Sequence, residues 1–236
     1  MKLKCIIFDV DGTMADTERH GHRVAFNLAF KDFSLNWHWD ESLYGQLLAV
    51  TGGKERIKYY QNDFLKKNIL SDEKIKLVHQ CKTKHYIALL QTGKIPLRQG
   101  VEKLIKEASK KGIRLAIATT TTPINVTTLL QSTLGENAEN YFDVIAAGDV
   151  VANKKPGADI YNYTLSYLGI AAKNCIAIED SSAGLIAADE AGIKTIITSN
   201  SYTKNQDFSK AQLVMPNFNK INTQLLTQIT AGKNHV

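Results

Sequence analysis

From Val101 onward, apolar positions repeat with two periods in turn. "GVEKLIKEASKKG" puts Val101, Leu104, Ile105 and Ala108 on one helical face, and Gly112 closes it. "IRLAIAT" then reads as a short strand ending at Thr119. "TPINVTTLLQSTLG" predicts a helix, with Pro123 early and Gly135 late. "FDVIAAG" is a strand, and "KPGADIYNYTLSYLG" a helix with Pro156 near its start. "CIAIED" is a strand, "SAGLIAADEAG" a helix and "KTIIT" a strand. "LVMP" adds a short last strand before a helical tail. Such alternation predicts an α/β fold whose parallel sheet is covered on both faces.

"KCIIFDV" belongs to the same sheet, although the next strand follows only near residue 114. The stretch between them carries long helical patterns and no strong strand. "SDEKIKLVHQCKTKHYIALLQT" is the clearest, with Ser71 as N-cap, Asp72 and Glu73 in the first turn and Gly93 at the end. "KERIKYYQNDFLKKN" is a second. The expected organisation is a discontinuous α/β core, residues 1–16 and 95–236, with a helical cap domain at 17–94.

A chain of 236 residues buries an ample core without staples. The net charge of +6 suits anionic partners, but the lysines are scattered and form no basic stripe with interleaved aromatics. Charge alone covers phosphorylated metabolites as well as nucleic acid; without a basic stripe, nucleic acid is not expected as a partner. The three cysteines are odd in number, and Cys5 and Cys175 lie in apolar runs as small buried hydrophobes, which fits a reducing compartment. The apolar run before Asp9 is too short for a signal peptide or a membrane span. A soluble cytoplasmic monomer is expected, or an organelle protein if a transit segment has been removed.

Ligands of an open parallel sheet bind at the carboxyl ends of its strands, so the residues after each strand carry the chemistry. These are Asp9, Asp11 and Thr13, then Thr119 to Thr122, then Lys154 and Lys155, then Glu179, Asp180, Ser181 and Ser182. Facing carboxylates repel unless a cation lies between them, and oxygen ligands of this kind suit Mg²⁺. The cation, a lysine and hydroxyl donors neutralise a phosphoryl group, leaving one aspartate to attack phosphorus and a second to move protons.

"DVDGT" after the first strand, a Thr after the second, a Lys before Pro, and "ED" after a later strand resemble the four motifs of the haloacid dehalogenase superfamily. The resemblance spans the whole chain and is strongest to the β-phosphoglucomutase-like branch. "VTGGKERI", "AGDVVANKKP" and "GHRVAFN" look like CbbY-type phosphatases of xylulose-1,5-bisphosphate. It implies a Rossmann-like doubly wound core under a mobile cap, with Asp9 as nucleophile and Asp11 as general acid/base. Mg²⁺ would be held by Asp9, the Asp11 carbonyl and Asp180, with Glu179 close by. Thr119 and Lys155 would hold the transferring phosphate, and Asp16 would meet sugar hydroxyls. Asp16 stands where a Glu is more usual, and Gly157 where an Ala is.

"TGGKER" has a physical reading of its own. Gly52 and Gly53 expose backbone N–H groups at a helix start and Lys54 adds charge, which makes a second anion site. Cap closure would join the two sites and exclude water. Arg56 either assists the distal phosphate or pairs with a cap carboxylate.

Plainer readings compete with each motif. Asp-Gly is a common turn pair, Glu179 and Asp180 suit a helix cap, and Thr122 suits the cap before Pro123. Cys81 and His85 share a helix face, but two ligands are too few for zinc. "NWHWD" reads as aromatic packing, while His22 and Arg23 fit either a cleft or solvent. Two other functions share the core chemistry: a phosphosugar mutase, which returns the phosphate to its intermediate, and a phospho-accepting receiver protein, which is about half this length.

Overall fold

The chain opens with β1 (Cys5–Phe8), four residues buried on both faces. The computed structural model describes residues 2–67 and 69–232. Thr17–Ile95 forms one compact unit, and Met1–Asp16 with Pro96–Val236 forms another.

The first of these is helical. A wide π-type turn, Glu18–His22, leads into α1 (Arg23–Asp32), followed by α2 (Glu41–Leu47), α3 (Gly53–Tyr59) and α4 (Asp72–Gln91). Ser71 caps α4 by accepting from the Lys74 N–H, as its position predicts. The helix expected from Lys54 runs only to Tyr59 and then widens into a second π-type turn, Tyr60–Phe64. The end of that pattern, Asn68, lies outside the described residues. "NWHWD" supplies the core: Trp39 lies 4.7 Å from Phe26, 4.8 Å from Phe30 and 5.3 Å from Tyr60, ring centre to ring centre. The Asn27 amide fixes this stretch by bonding both the N–H and the carbonyl of Trp39.

The second unit continues with α5 (Val101–Lys110), β2 (Arg114–Thr119), α6 (Pro123–Leu134), β3 (Val144–Ala147) and α7 (Asp159–Leu168). After these come β4 (Cys175–Glu179), α8 (Ser182–Glu190), β5 (Lys194–Thr198), β6 (Leu213–Met215) and α9 (Thr223–Thr230). The six strands form one parallel sheet in the order β3-β2-β1-β4-β5-β6. This is the doubly wound, Rossmann-like arrangement, with its topological switch point between β1 and β4. Val101, Leu104, Ile105 and Ala108 of α5 are all buried, as their spacing predicts.

On one face of the sheet, small residues allow close packing. Cys5, Ile7, Ala116, Ala118, Ala146, Cys175 and Ala177 cluster with Ile160, Tyr161 and Leu168 of α7 and with Ala187 and Ala188 of α8. Cys5 and Cys175, far apart in sequence, are register partners across β1 and β4, and both are free thiols. Pro156 does not open α7: the helix begins three residues later, at Asp159, and Pro156 sits in the preceding loop.

Candidate active site

The switch point decides which carboxylates meet. Phe8 pairs in register with Ile117 on one side and Ile178 on the other, and the Asp9 N–H donates to the Ile178 carbonyl at 3.0 Å. Asp9 therefore leaves the sheet level with Ala118 and Glu179. Asp9, Glu179 and Asp180 are all buried and bring carboxylate oxygens within 4.8 Å of one another. Asp11 stands apart from them in environment: it is half-buried, in a tight turn where the Gly12 N–H bonds the Ala15 carbonyl at 2.8 Å. Gly12 adopts a φ of +83°, and a Cβ there would strike the Asp180 carboxylate. Thr119, buried, ends β2 beside this group, and its hydroxyl accepts from the Thr121 N–H at 3.4 Å.

Lys155 ties the carboxylates together. Its ammonium donates to Asp9 Oδ1 at 2.8 Å, to Glu179 Oε1 at 2.6 Å and to the Ala118 carbonyl at 2.8 Å. Burial opposes its charge, but Asp9 and Glu179 outweigh burial and hold the ammonium above its ordinary range. Burial also pushes the Asp9 carboxyl up; Lys155 pulls it back, Glu179 and Asp11 push it further, and the outcome is about 7. One ammonium among converging carboxylates thus leaves negative charge in excess. The donors are hard oxygens, which fit a small divalent cation such as Mg²⁺.

Residues 6–198 match the model of a haloacid dehalogenase-like hydrolase. The chain belongs to the haloacid dehalogenase-like hydrolase family. It is 43% identical over 229 residues to Protein CbbY of Rhodobacter capsulatus, covering 97% of this chain and 100% of that protein. The crystal structure of CbbY from Rhodobacter sphaeroides in complex with phosphate aligns with a TM-score of 0.85 at 43% identity, over 92% of this chain and 95% of that one. A mutant of the same CbbY, in complex with xylulose-(1,5)-bisphosphate, aligns with a TM-score of 0.85 at 42% identity and the same coverage.

The plainer readings of two motifs meet the geometry differently. Ser181, not Asp180, caps α8: its hydroxyl accepts from the Gly184 N–H at 3.2 Å. Thr122 stands at the N-cap of α6 before Pro123, as expected, although its side chain makes no capping bond. Lys154 pairs with Asp149 at 3.2 Å, away from the carboxylates that Lys155 holds.

Four supporting residues escaped the sequence reading. Tyr161 donates to Glu179 Oε1 at 2.6 Å, and its ring lies under the Lys155 ammonium at 5.3 Å. Burial, with Glu179 and Asp9 adding, keeps its hydroxyl well above the usual range, so it acts as a donor. Asn200 donates to Asp180 Oδ2 at 2.6 Å. Arg98 donates to the carbonyls of Gly12 at 2.6 Å, Thr198 at 2.7 Å, Ser199 at 2.9 Å and Pro216 at 3.0 Å, and so pins the turn after β1 to the end of β5. Gly184 of α8 leaves the room that the Glu179 carboxylate fills. The only sequence signal for Tyr161 was its place on the buried face of α7; Asn200 and Arg98 sit in loops where spacing predicts nothing.

The remaining predicted residues lie in or beside the helical unit. Gly52 precedes α3 with a φ of +98°, and Gly53 and Lys54 open the helix, half-buried. Of the two roles expected for Arg56, the structure shows the ion pair: it lies 3.8 Å from Glu18, and donates to Tyr44 Oη at 2.9 Å and to the Leu47 and Val50 carbonyls. His22 is neither exposed nor loose: it is buried, stacked on Tyr86, with Nδ1 2.6 Å from Lys82 Nζ. Arg23 lies 3.7 Å from Glu41. Asp16, half-buried, ends the first segment of the α/β unit.

Proposed function

We propose that this hydrolase is a Mg²⁺-dependent phosphatase of a sugar bisphosphate, with xylulose-1,5-bisphosphate as the first candidate. The observation that carries the reading is the likeness, over nearly the whole chain, to a CbbY bound to xylulose-(1,5)-bisphosphate. The local chemistry supports it. Asp9 attacks phosphorus, the bond to the sugar oxygen breaks, and Asp11 gives that oxygen a proton. Asp11 then takes a proton from water, which cleaves the aspartyl-phosphate and frees phosphate. Lys155 and Thr119 hold the oxygens of the transferring group. Asp9, Glu179, Asp180 and the Asp11 carbonyl would hold Mg²⁺, which when bound supplies charge to the phosphoryl oxygens.

The second phosphate is assigned to the backbone N–H groups of Gly52 and Gly53 with Lys54, and a sugar hydroxyl to Asp16. Arg56 acts on this segment indirectly, because it holds the Leu47 and Val50 carbonyls just before it.

The test is phosphate release from xylulose-1,5-bisphosphate, fructose-1,6-bisphosphate, ribulose-1,5-bisphosphate, β-glucose-1-phosphate and phosphoglycolate. It is run with Mg²⁺, with chelator and with Asp9→Asn. The expected result is rapid Mg²⁺-dependent release from xylulose-1,5-bisphosphate that Asp9→Asn abolishes. Turnover of monophosphates alone removes the bisphosphate assignment. Isomerised sugar phosphate without free phosphate replaces hydrolysis by a mutase reaction.

A further inference from the structure

Cys81 and His85 are one turn apart on α4, which places them on a single face of the helix. α4 packs against α1, and the last residue of α1, Asp32, reaches that face. Asp32 Oδ2 accepts from Cys81 Sγ at 3.4 Å and lies 2.7 Å from His85 Nε2. One ligand atom from each of the three residues falls within 4.8 Å of the other two. The two ligands visible in sequence thus gain a third from a helix some fifty residues away in the chain.

We propose that Asp32, Cys81 and His85 form a binding site for a borderline divalent cation of the Zn²⁺ class. The site is separate from the carboxylate cluster in the α/β unit and unlike it in chemistry. A sulfur, a nitrogen and an oxygen suit Zn²⁺, whereas three hard oxygens suit Mg²⁺. Asp32 Oδ2 now takes the Cys81 thiol as a donor and bonds the His85 ring nitrogen. A cation at the centre of the three replaces those bridging contacts. Binding releases the thiol proton, and the hydrogen that His85 Nε2 now directs at Asp32 Oδ2 leaves that nitrogen, so that the ring coordinates through Nε2 with its remaining proton on Nδ1. The Asp32 carboxyl needs no further deprotonation, because His85 and Cys81 hold it below its ordinary range. Thiolate and carboxylate together cancel the charge of a dication. The exposed edge of the site, where the His85 side chain is 29% and that of Asp32 50% accessible, leaves the fourth tetrahedral position to water. Lys31 acts on Asp32 and Lys84 on Cys81, and their positive charge works against binding. The ion would join α1 to α4 and stiffen the helical unit, with no part in hydrolysis.

The experiment uses the full chain, stripped of metal and then saturated with Mg²⁺ so that the oxygen site is filled. Co²⁺ is titrated as a spectroscopic stand-in for Zn²⁺. The expected result is a thiolate-to-Co²⁺ charge-transfer band in the near ultraviolet that saturates at one equivalent and disappears when Zn²⁺ is added. Cys5 and Cys175 are fully buried in the sheet, so the band must come from Cys81. Cys81→Ser should abolish it, and His85→Ala and Asp32→Ala should each shift its saturation to higher Co²⁺. Cys81 is only partly buried, so the serine variant is expected to fold, with circular dichroism as the check. No band at stoichiometric Co²⁺, or a band that survives Cys81→Ser, overturns the proposal and leaves an ordinary Asp32–His85 hydrogen bond beside a thiol.

Discussion

Lys155 makes three bonds with its three hydrogens, and each partner depends on a different strand: Asp9 follows β1, Ala118 is in β2 and Glu179 ends β4. The ammonium therefore fixes the spacing of the strand ends as well as their charge. Tyr161 completes the arrangement from α7, giving Glu179 Oε1 a second donor. Tyr161→Phe removes the hydroxyl and keeps the ring. A bond to a charged acceptor contributes about 1.5–3 kcal/mol, and loss of a partner that orients a charged site lowers turnover about tenfold or more. We expect kcat to fall about tenfold with KM unchanged, because Tyr161 is fully buried and touches Glu179 and Lys155. A rise in KM with kcat intact would instead make Tyr161 a contact of the substrate.

At the scale of elements, the helix–strand alternation was legible because each period writes itself locally. β2, β4 and β5, and helices α5 and α8, stand where their apolar spacing places them. Asp9, Thr119 and Asp180 were legible as strand-end residues of the same sheet, and Lys155 through its place in the loop after β3. Arg98, Asn200 and Tyr161 were not, because their partners lie more than fifteen residues away and no local pattern records a long-range hydrogen bond. Arg56 left two roles open in the sequence, a phosphate contact and a pairing with a cap carboxylate, and the structure shows the pairing, with Glu18, Tyr44 and two carbonyls as partners. Gly184 exposes the limit of local rules most sharply. Propensity alone says that Ala in place of a helical Gly stabilises by about 0.5–1 kcal/mol. Here the new Cβ would overlap the Glu179 carboxylate, which is buried and pinned by Lys155 and Tyr161. We expect Gly184→Ala to destabilise by about 1–3 kcal/mol in urea unfolding and to lower kcat. A more stable variant would mean that Glu179 moves aside at little cost.

For the whole molecule, the carboxylate cluster sets how stability responds to pH and to metal. Burial, aided by Glu179 and Asp11 and opposed by Lys155, raises the Asp9 carboxyl from 3.8 to about 7. A carboxyl raised in this way binds its proton more tightly in the folded chain than in the unfolded one. Its contribution is full below the unfolded value and is lost as pH rises from about 4 through about 7. Other groups titrate over the same range, so the contrast with Asp9→Asn isolates this one. The metal-free wild type should lose on the order of 2 kcal/mol relative to Asp9→Asn between pH 5 and pH 8. At roughly 2–4 °C per kcal/mol for a chain of this size, the loss is readable as a change in the Tm difference. If Mg²⁺ is the ion of this cluster, as proposed, it would bind the ionised form and should raise the wild-type Tm at pH 8 and much less at pH 5. In Asp9→Asn, which lacks one of the oxygen anions, the Mg²⁺ effect should shrink at both pH values. Thermal scans of both proteins at the two pH values, with Mg²⁺ and with chelator, test all of this together. A Tm difference that stays constant with pH would show that Asp9 does not change its protonation between pH 5 and pH 8 in the metal-free protein, against the raised value that burial gives it.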